Sequence, residues 1–310
     1  MNIVTLTLNP AFDLHCYAED FKAEKENFAE IVSFDAGGKG VNISRALCSN
    51  GVENTAVIIV GKENGERFLN DLEGDVCNII AIEAEGRIRE NITVHTNGES
   101  ETRISFSGFK AERGVLDKLY EKTSGIINGE SIVTLTGSLS KGMDLSSVKD
   151  LVMKWKEMGA KIVIDSRSFS LSDLMEVKPF LIKPNREEIS NYLGRDISDF
   201  DEVVSSAKEI FSSGIENVMI SLGSKGALLV CREGVFTAKP PACTPVSTIG
   251  AGDSSIAGFV AAVKEGKGAL DCLRNAMAYG NAACLTEGTR PPDRQKVQEI
   301  IKNVAIEIKE

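Results

Sequence analysis

The chain has 310 residues, with 35 Lys plus Arg against 45 Asp plus Glu and a formal net charge of −10. An acidic chain without a basic run is a poor partner for nucleic acid or an anionic membrane, so any anionic ligand must be held by a local site. Seven cysteines, no two closer than 12 positions, exclude C-x-x-C pairs, and His15 and His95 are the only histidines, so a zinc centre is not expected.

The opening MNIVTLTLNPAFD lacks a basic and then apolar leader pattern, and no apolar run approaches the ~20 residues of a membrane span. We therefore expect a reduced, soluble, cytoplasmic protein. The length allows about two domains, or one large α/β domain with an insertion.

Short apolar runs recur along the chain at Ile3 to Leu8, Thr55 to Val60, Ser131 to Thr136, Lys161 to Asp165 and Asn217 to Leu222. Amphipathic stretches such as Val148 to Met158 and Val203 to Phe211 separate them. This alternation predicts a parallel sheet covered on both faces, whose ligands sit at the carboxyl ends of the strands. Two segments differ: Phe12 to Phe34 and Ile88 to Phe106 alternate apolar and polar residues, and the second contains TNGE, a hairpin signal. They are expected to form antiparallel strands of a small accessory sheet, a lid over one end of the main one. From Ile249 the pattern is helical: Ala251 to Lys264, Ala269 to Leu285 and Arg294 to Ile308.

Four stretches carry chemistry. In DAGGKGVNISRAL (Asp35 to Leu47), glycines and Lys39 precede a helix, where bare amides and one cation can face an anion. In VSTIGAGDSSIAG (Val246 to Gly258), Gly250, Ala251 and Gly252 run into Asp253 at a helix start. A capping acid is the ordinary reading. The sharper one has the amides hold a phosphoryl group while Asp253, kept ionised by the same fields, takes a hydroxyl proton. In KPNREEI (Lys183 to Ile189), Asn185 and Glu188 offer oxygens for hydrated Mg²⁺, or simply a capping box. SLGSKGALL (Ser221 to Leu229) reads as strand, glycine turn and strand. Neither G-x-x-x-x-G-K-[ST] nor a dinucleotide fingerprint after the first strand is present, which disfavours a P-loop enzyme and a nicotinamide oxidoreductase.

With GGKG-x-N at Gly37 to Asn42, GAGD at Gly250 to Asp253, and N-x-x-E and S-x-G between them, the chain resembles the ribokinase-like (PfkB) family of carbohydrate kinases over nearly its whole length. The resemblance implies an α/β protein with a three-layer α/β/α sandwich, a mostly parallel central sheet and a small β-sheet lid. It implies one kinase domain over 1–310, with lid strands inserted at about 12–34 and 88–106.

By the same resemblance Asp253 is the catalytic base and Gly250, Ala251 and Gly252 form the anion hole. Lys183, Asn185, Ser221, Gly223 and Gly226 line ATP, and Asn185 with Glu188 organises Mg²⁺ through water. Asp13, Gly38, Lys39, Asn42 and Arg89 contact the sugar substrate. TLTLNPAFD and GGKGVNISRAL are most similar to the phosphosugar branch, which implies ATP-dependent phosphorylation of a ketose phosphate, fructose 1-phosphate first and tagatose 6-phosphate as the alternative. Lys39 and Arg89 would anchor the existing phosphate; Arg103 is a further candidate from its charge and its expected place on the lid alone. A non-catalytic sugar-phosphate sensor would have no use for Asp253 beside an intact N-x-x-E pair. Homodimerisation through the lid and a monovalent cation near Glu287 to Arg290 are also implied. One departure stands out: GSLSKG (Gly137 to Gly142) lacks the prolines expected there, which should free that loop and bring Lys141 near the sugar.

Overall fold

The computed structural model describes residues 1–97, 101–112 and 114–309. Strand β1 (Asn2–Thr7) leads into β2 (Ala11–Tyr17) and β3 (Glu30–Gly37), then helix α1 (Lys39–Ser49), β4 (Thr55–Gly61), α2 (Gly65–Asn70) and β5 (Asn78–Ala84). Next come β6 (Arg89–His95), β7 (Glu101–Ile104), α3 (Val115–Thr123), β8 (Ser131–Thr136), α4 (Leu145–Glu157), β9 (Lys161–Asp165) and α5 (Leu171–Val177). The strand β10 (Leu181–Ile182), helices α6 (Arg186–Leu193) and α7 (Phe200–Ser212), β11 (Asn217–Ser221), β12 (Ala227–Cys231) and β13 (Gly234–Lys239) follow. The chain closes with α8 (Ala251–Lys264), α9 (Ala269–Ala283), α10 (Arg294–Ile301) and β14 (Ala305–Lys309).

Ten strands make the main sheet in the order β14-β13-β12-β11-β10-β9-β8-β1-β4-β5. It is parallel from β5 to β11 and antiparallel from β11 to β14. Its central strands β1, β4, β8 and β9 are apolar on both faces because each face is covered. Val4 and Leu6, Val133 and Leu135, and Ile162 and Ile164 join the cluster around Trp155 and Phe169. The intervening Ile3, Ile132 and Val163 join the one around Ile43, Phe259 and Leu273. Helices α8 and α9 approach so closely that a Cβ on Gly258 would lie 2.4 Å from the carbonyl oxygen of Asn275. Among the described residues no helix is long and apolar enough to cross a membrane.

The second sheet has the order β3-β2-β6-β7 and draws on both segments expected for it. It is mixed, not antiparallel throughout: β2 pairs with β6 in parallel, with Asp13 opposite Asn91. The reason is the route of the chain. β2 leaves the carboxyl end of β1 and β6 that of β5, strands that run the same way, so the two excursions do too. The tip of the TNGE turn, Gly98 and Glu99, lies outside the described residues. The helix expected to reach Ile308 stops at Ile301 instead. Asn303 turns the chain, its amide donating to the Ile300 carbonyl, and Ala305–Lys309 pairs with the edge strand β13. Five residues of alternating pattern at the end of a helical one are easily absorbed into it.

Candidate active site

Two helix starts meet at the carboxyl ends of β1, β8 and β9. Gly250 caps α8 at φ 77°, a left-handed conformation open to glycine at little cost, and Asp253 is the third residue of the first turn. Asp253 is 6 % exposed and makes no capping bond; its Oδ2 accepts from Asn42 Nδ2 of α1 at 2.9 Å. First-turn amides lack intrahelical partners, although Ala251 N–H leans on the Thr248 carbonyl at 3.4 Å.

The expectation that local fields depress the Asp253 carboxyl is overturned. Burial raises it to about 6, against the opposing pull of Lys39 and Asn42, and the neighbouring Asp165 adds to the rise while Lys183 opposes it. Desolvation of a fully buried carboxylate outweighs a helix end and two ammonium groups here.

Lys39, the first residue of α1, places Nζ 2.8 Å from Oδ2 of Asp165, the last residue of β9. Lys183, just past β10 and 8 % exposed, approaches Asp165 Oδ1 at 3.9 Å. Asp165 is itself 7 % exposed; burial pushes its carboxyl up, but Lys183 and Lys39 override this and hold it below the usual carboxylate range. Lys39 is held above the usual lysine range: burial lowers it, and Asp165 and Asp253 more than compensate. Gly252 lies against Lys183, whose Nζ would be 3.2 Å from an added Cβ. Sequence reasoning missed Asp165 as a site residue, though its place at the carboxyl end of KIVID was the signal.

Asn185 and Glu188 open α6 as a reciprocal capping box, with Glu188 N–H donating to Asn185 Oδ1 at 2.8 Å and Asn185 N–H to Glu188 Oε2 at 3.0 Å. Arg167 Nε sits 3.3 Å from Glu188 Oε1. Each carboxylate oxygen keeps a second lone pair, so the cap leaves acceptor capacity for a hydrated cation. No cluster of three or more acidic, His or Cys side chains able to hold a metal alone occurs among the described residues. That donor set suits Mg²⁺ completed by water and substrate phosphates. Tyr192, one turn beyond Glu188, is a further neighbour that sequence reasoning missed; burial, Glu188 and Asp165 push its phenol up to about 12.

Ser221 ends β11 in a bridge with Asn185. Gly223 (φ 60°) and Gly226 (φ 97°) bracket the turn that follows, and a Cβ on Gly226 would overlap the Ala238 carbonyl. Both glycines are therefore demanded by the turn itself. Beside Gly250 packs Thr289 of the Glu287 to Arg290 segment, where Arg290 pairs with Glu287 at 3.3 Å.

On the small sheet Asp13 Oδ1 accepts from Asn91 at 3.0 Å, while its other oxygen lies where a Gly37 side chain would begin. Gly38 caps α1 at φ 135° against Thr7. Arg89 donates to the carbonyls of Phe106 (2.9 Å) and Asn9 (3.3 Å), and its Nε is buried without a partner. Among the described residues no carboxylate forms an ion pair with this guanidinium, and burial lowers its pKa despite the pull of Asp13. Arg103 lies on the exposed strand β7 opposite Thr93, close enough to His15 to oppose its protonation.

The GSLSKG loop is tied down instead of freed. Asn9 Nδ2 donates to Ser138 Oγ at 3.0 Å and to the Leu139 carbonyl at 3.3 Å, and Ser140 Oγ donates to the Leu8 carbonyl. Lys141 has an exposed side chain, and its carbonyl accepts from Ala111 N–H at 2.8 Å.

A family model described as pfkB family carbohydrate kinase matches residues 6–296. The 1-phosphofructokinase of Haemophilus influenzae is 28% identical, covering 98% of this chain and 98% of that protein. The ATP-dependent 6-phosphofructokinase isozyme 2 of Escherichia coli is 30% identical, covering 97% and 98%. A crystal structure of phosphofructokinase-2 from Escherichia coli in complex with substrates and products matches with a TM-score of 0.92 at 29% identity, covering 98% of this chain and 99% of that one. With the motifs, the α/β/α layers and the second small sheet all in place, the chain belongs to the pfkB family of carbohydrate kinases.

Proposed function

We propose that the chain transfers the terminal phosphoryl group of ATP to a free hydroxyl of fructose 1-phosphate, giving fructose 1,6-bisphosphate. The observation that carries this reading is the Asn42 to Asp253 bond, which joins the two signature motifs and holds a carboxyl raised to about 6 within the first turn of α8. Asp253 accepts the hydroxyl proton as the oxygen attacks, the role expected of a positioned carboxylate near its working pH. The first-turn amides of Gly250, Ala251 and Gly252 and the ammonium of Lys183 receive the phosphoryl oxygens. Lys183, Ser221, Gly223 and Gly226 hold the nucleotide. Asn185 and Glu188 would hold Mg²⁺ through water, and the ion would neutralise charge on the nucleotide phosphates.

Arg89, with its unmatched guanidinium, anchors the phosphate already on the sugar, and Asp13, Gly38 and Asn42 hold its hydroxyl face. Lys39, paired to Asp165, is the second cation for that phosphate. Fructose 6-phosphate is the second reading, favoured by the relative named for that activity and by the 0.92 TM-score of its fold neighbour. Measured kcat/KM over fructose 1-phosphate, fructose 6-phosphate, tagatose 6-phosphate and fructose decides between them. We expect fructose 1-phosphate to lead; an equal rate on unphosphorylated fructose would reject the phosphosugar assignment. Running the panel in potassium and in tetramethylammonium salts tests a monovalent cation beside Glu287 to Arg290, which an indifferent rate would remove.

The same proposal has two copies meet through their lids. It is supported by the exposure of Phe28 (84 %), Ile31 (70 %) and Val32 (65 %) on or beside that sheet. Such an apolar patch is uncommon on a monomer. A solution mass of one 33.4 kDa chain at assay concentration would contradict it.

A further inference from the structure

Behind the turn between β11 and β12, on the face of the main sheet turned away from α8, lies a pocket of about 340 Å³. Strand alternation tells the two faces apart. Val235 of β13 joins the cluster around Trp155, and Thr237 and Lys239 face the same way, two and four residues on. Phe236 and Ala238 face the other way, into the cluster around Phe259 of α8, the helix that Asp253 opens. The pocket is therefore separate from the site of the proposed chemistry. Its apolar wall is Leu222 and Phe200, the first residue of α7, which is 37 % exposed.

Four cations surround that wall: Arg186 at the start of α6, Lys225 in the turn, Lys239 at the end of β13 and Lys309 at the end of β14. The turn packs so closely on β13 that a Cβ on Gly226 would lie 3.0 Å from the Lys239 Cα, which brings the backbone of Lys225 beside that of Lys239. Arg186 Nη1 donates to the Ser198 carbonyl at 3.1 Å, at the entry to α7, and Lys309 Nζ stands 5.9 Å from the centre of the Phe200 ring. Two acids also line the pocket, and both are engaged. Glu307 pairs with Lys309 at 2.7 Å, and Asp199 Oδ1 accepts from the Glu202 N–H at 2.8 Å as the cap of α7. Among the described residues no carboxylate pairs with Arg186, Lys225 or Lys239.

We propose that this pocket binds a short phosphorylated acid, with one phosphate and one carboxylate on a small carbon body. Lys225 and Lys239 take the phosphate, Arg186 takes the carboxylate with its planar fork, and the carbon body lies against Phe200. Such a molecule carries about three negative charges at neutral pH, which matches the three unpaired cations. The volume stands at the lower end of the range for ligand pockets, about 300 to 1,000 Å³, and so suits a small metabolite. In a chain of net charge −10, a cluster of unpaired cations is the kind of local site that an anion requires. Inorganic phosphate alone would leave Arg186 unmatched and the apolar wall wet.

Equilibrium dialysis of the full chain against radiolabelled 3-phosphoglycerate tests this. It reads binding without turnover, so its outcome is separate from the kinase assignment. We expect one molecule per chain, with affinity about tenfold or more weaker in Lys239→Glu and in Lys225→Glu, the scale of a lost charged hydrogen bond. Both variants should melt as wild type does, and Arg89→Ala, on the lid, should bind as wild type does. Sulfate and inorganic phosphate should displace the label only at about tenfold higher concentration or more. No bound label at millimolar ligand, or binding that survives Lys239→Glu and is lost in Arg89→Ala, would overturn the proposal. So would displacement by sulfate at equal concentration, which would make the pocket a site for an adventitious ion only.

Discussion

The sheet end and the lid handle charge in opposite ways. At the carboxyl ends of β8 and β9, Asp165 is buried between Lys39 and Lys183, and Asp253 rests on Asn42. On the lid, Arg89 spends its guanidinium on two carbonyls and leaves one buried nitrogen without a partner. A pre-paired network is rigid and costs little to reorganise during reaction, whereas an unmatched cation gains most when an anion arrives. In the proposed function the sheet end carries the chemistry and the lid the recognition, and the contrast is what that division needs.

The largest effect should come from removing the proposed base. Asp253→Asn is expected to cut kcat about a thousandfold while ATP still binds. It should also stabilise the fold. A carboxyl raised to about 6 when folded binds its proton more tightly than the unfolded chain does, so its contribution is greatest at low pH and is lost as pH rises through about 6. At neutral pH the ionised group therefore costs about 3 kcal/mol, which the amide avoids. The wild-type kcat/KM should fall on the acid side of about 6 as the base is protonated. A variant with normal turnover, or one with a lower Tm, would break this half of the contrast.

Asp165→Asn comes next. Two ammonium groups, one of them buried, would lose their shared carboxylate, and we expect the fold to lose about 3 kcal/mol. Thermal unfolding reads this directly; an unchanged Tm would mean that the pairing is dispensable.

Much of this was legible in local pattern. Helix α8 begins at Ala251 and ends at Lys264 as its periodicity indicates, and KIVID is β9 to the residue. What local pattern could not carry is long-range. Asp253 meets Asn42 across 211 positions, and the burial that raises its pKa is made by elements far apart in the chain. Asp165 ends an ordinary apolar strand, and only the arrival of α1 and of the segment after β10 gives it two lysines. The parallel pairing of β2 with β6 depends on the direction of β1 and β5 in the finished sheet, which no turn signal between them encodes. The missing prolines of GSLSKG suggested freedom, but Asn9 of a distant strand end supplies the restraint.

The most direct test of the division of labour is steady-state kinetics of Arg89→Ala with the sugar phosphate and ATP varied in turn. If the lid recognises and the sheet end reacts, KM for the sugar phosphate should rise about tenfold to a hundredfold, the worth of a charged hydrogen bond. KM for ATP and kcat should stay close to wild type. An unchanged sugar-phosphate KM, or a collapse of kcat with ATP binding weakened in step, would contradict it.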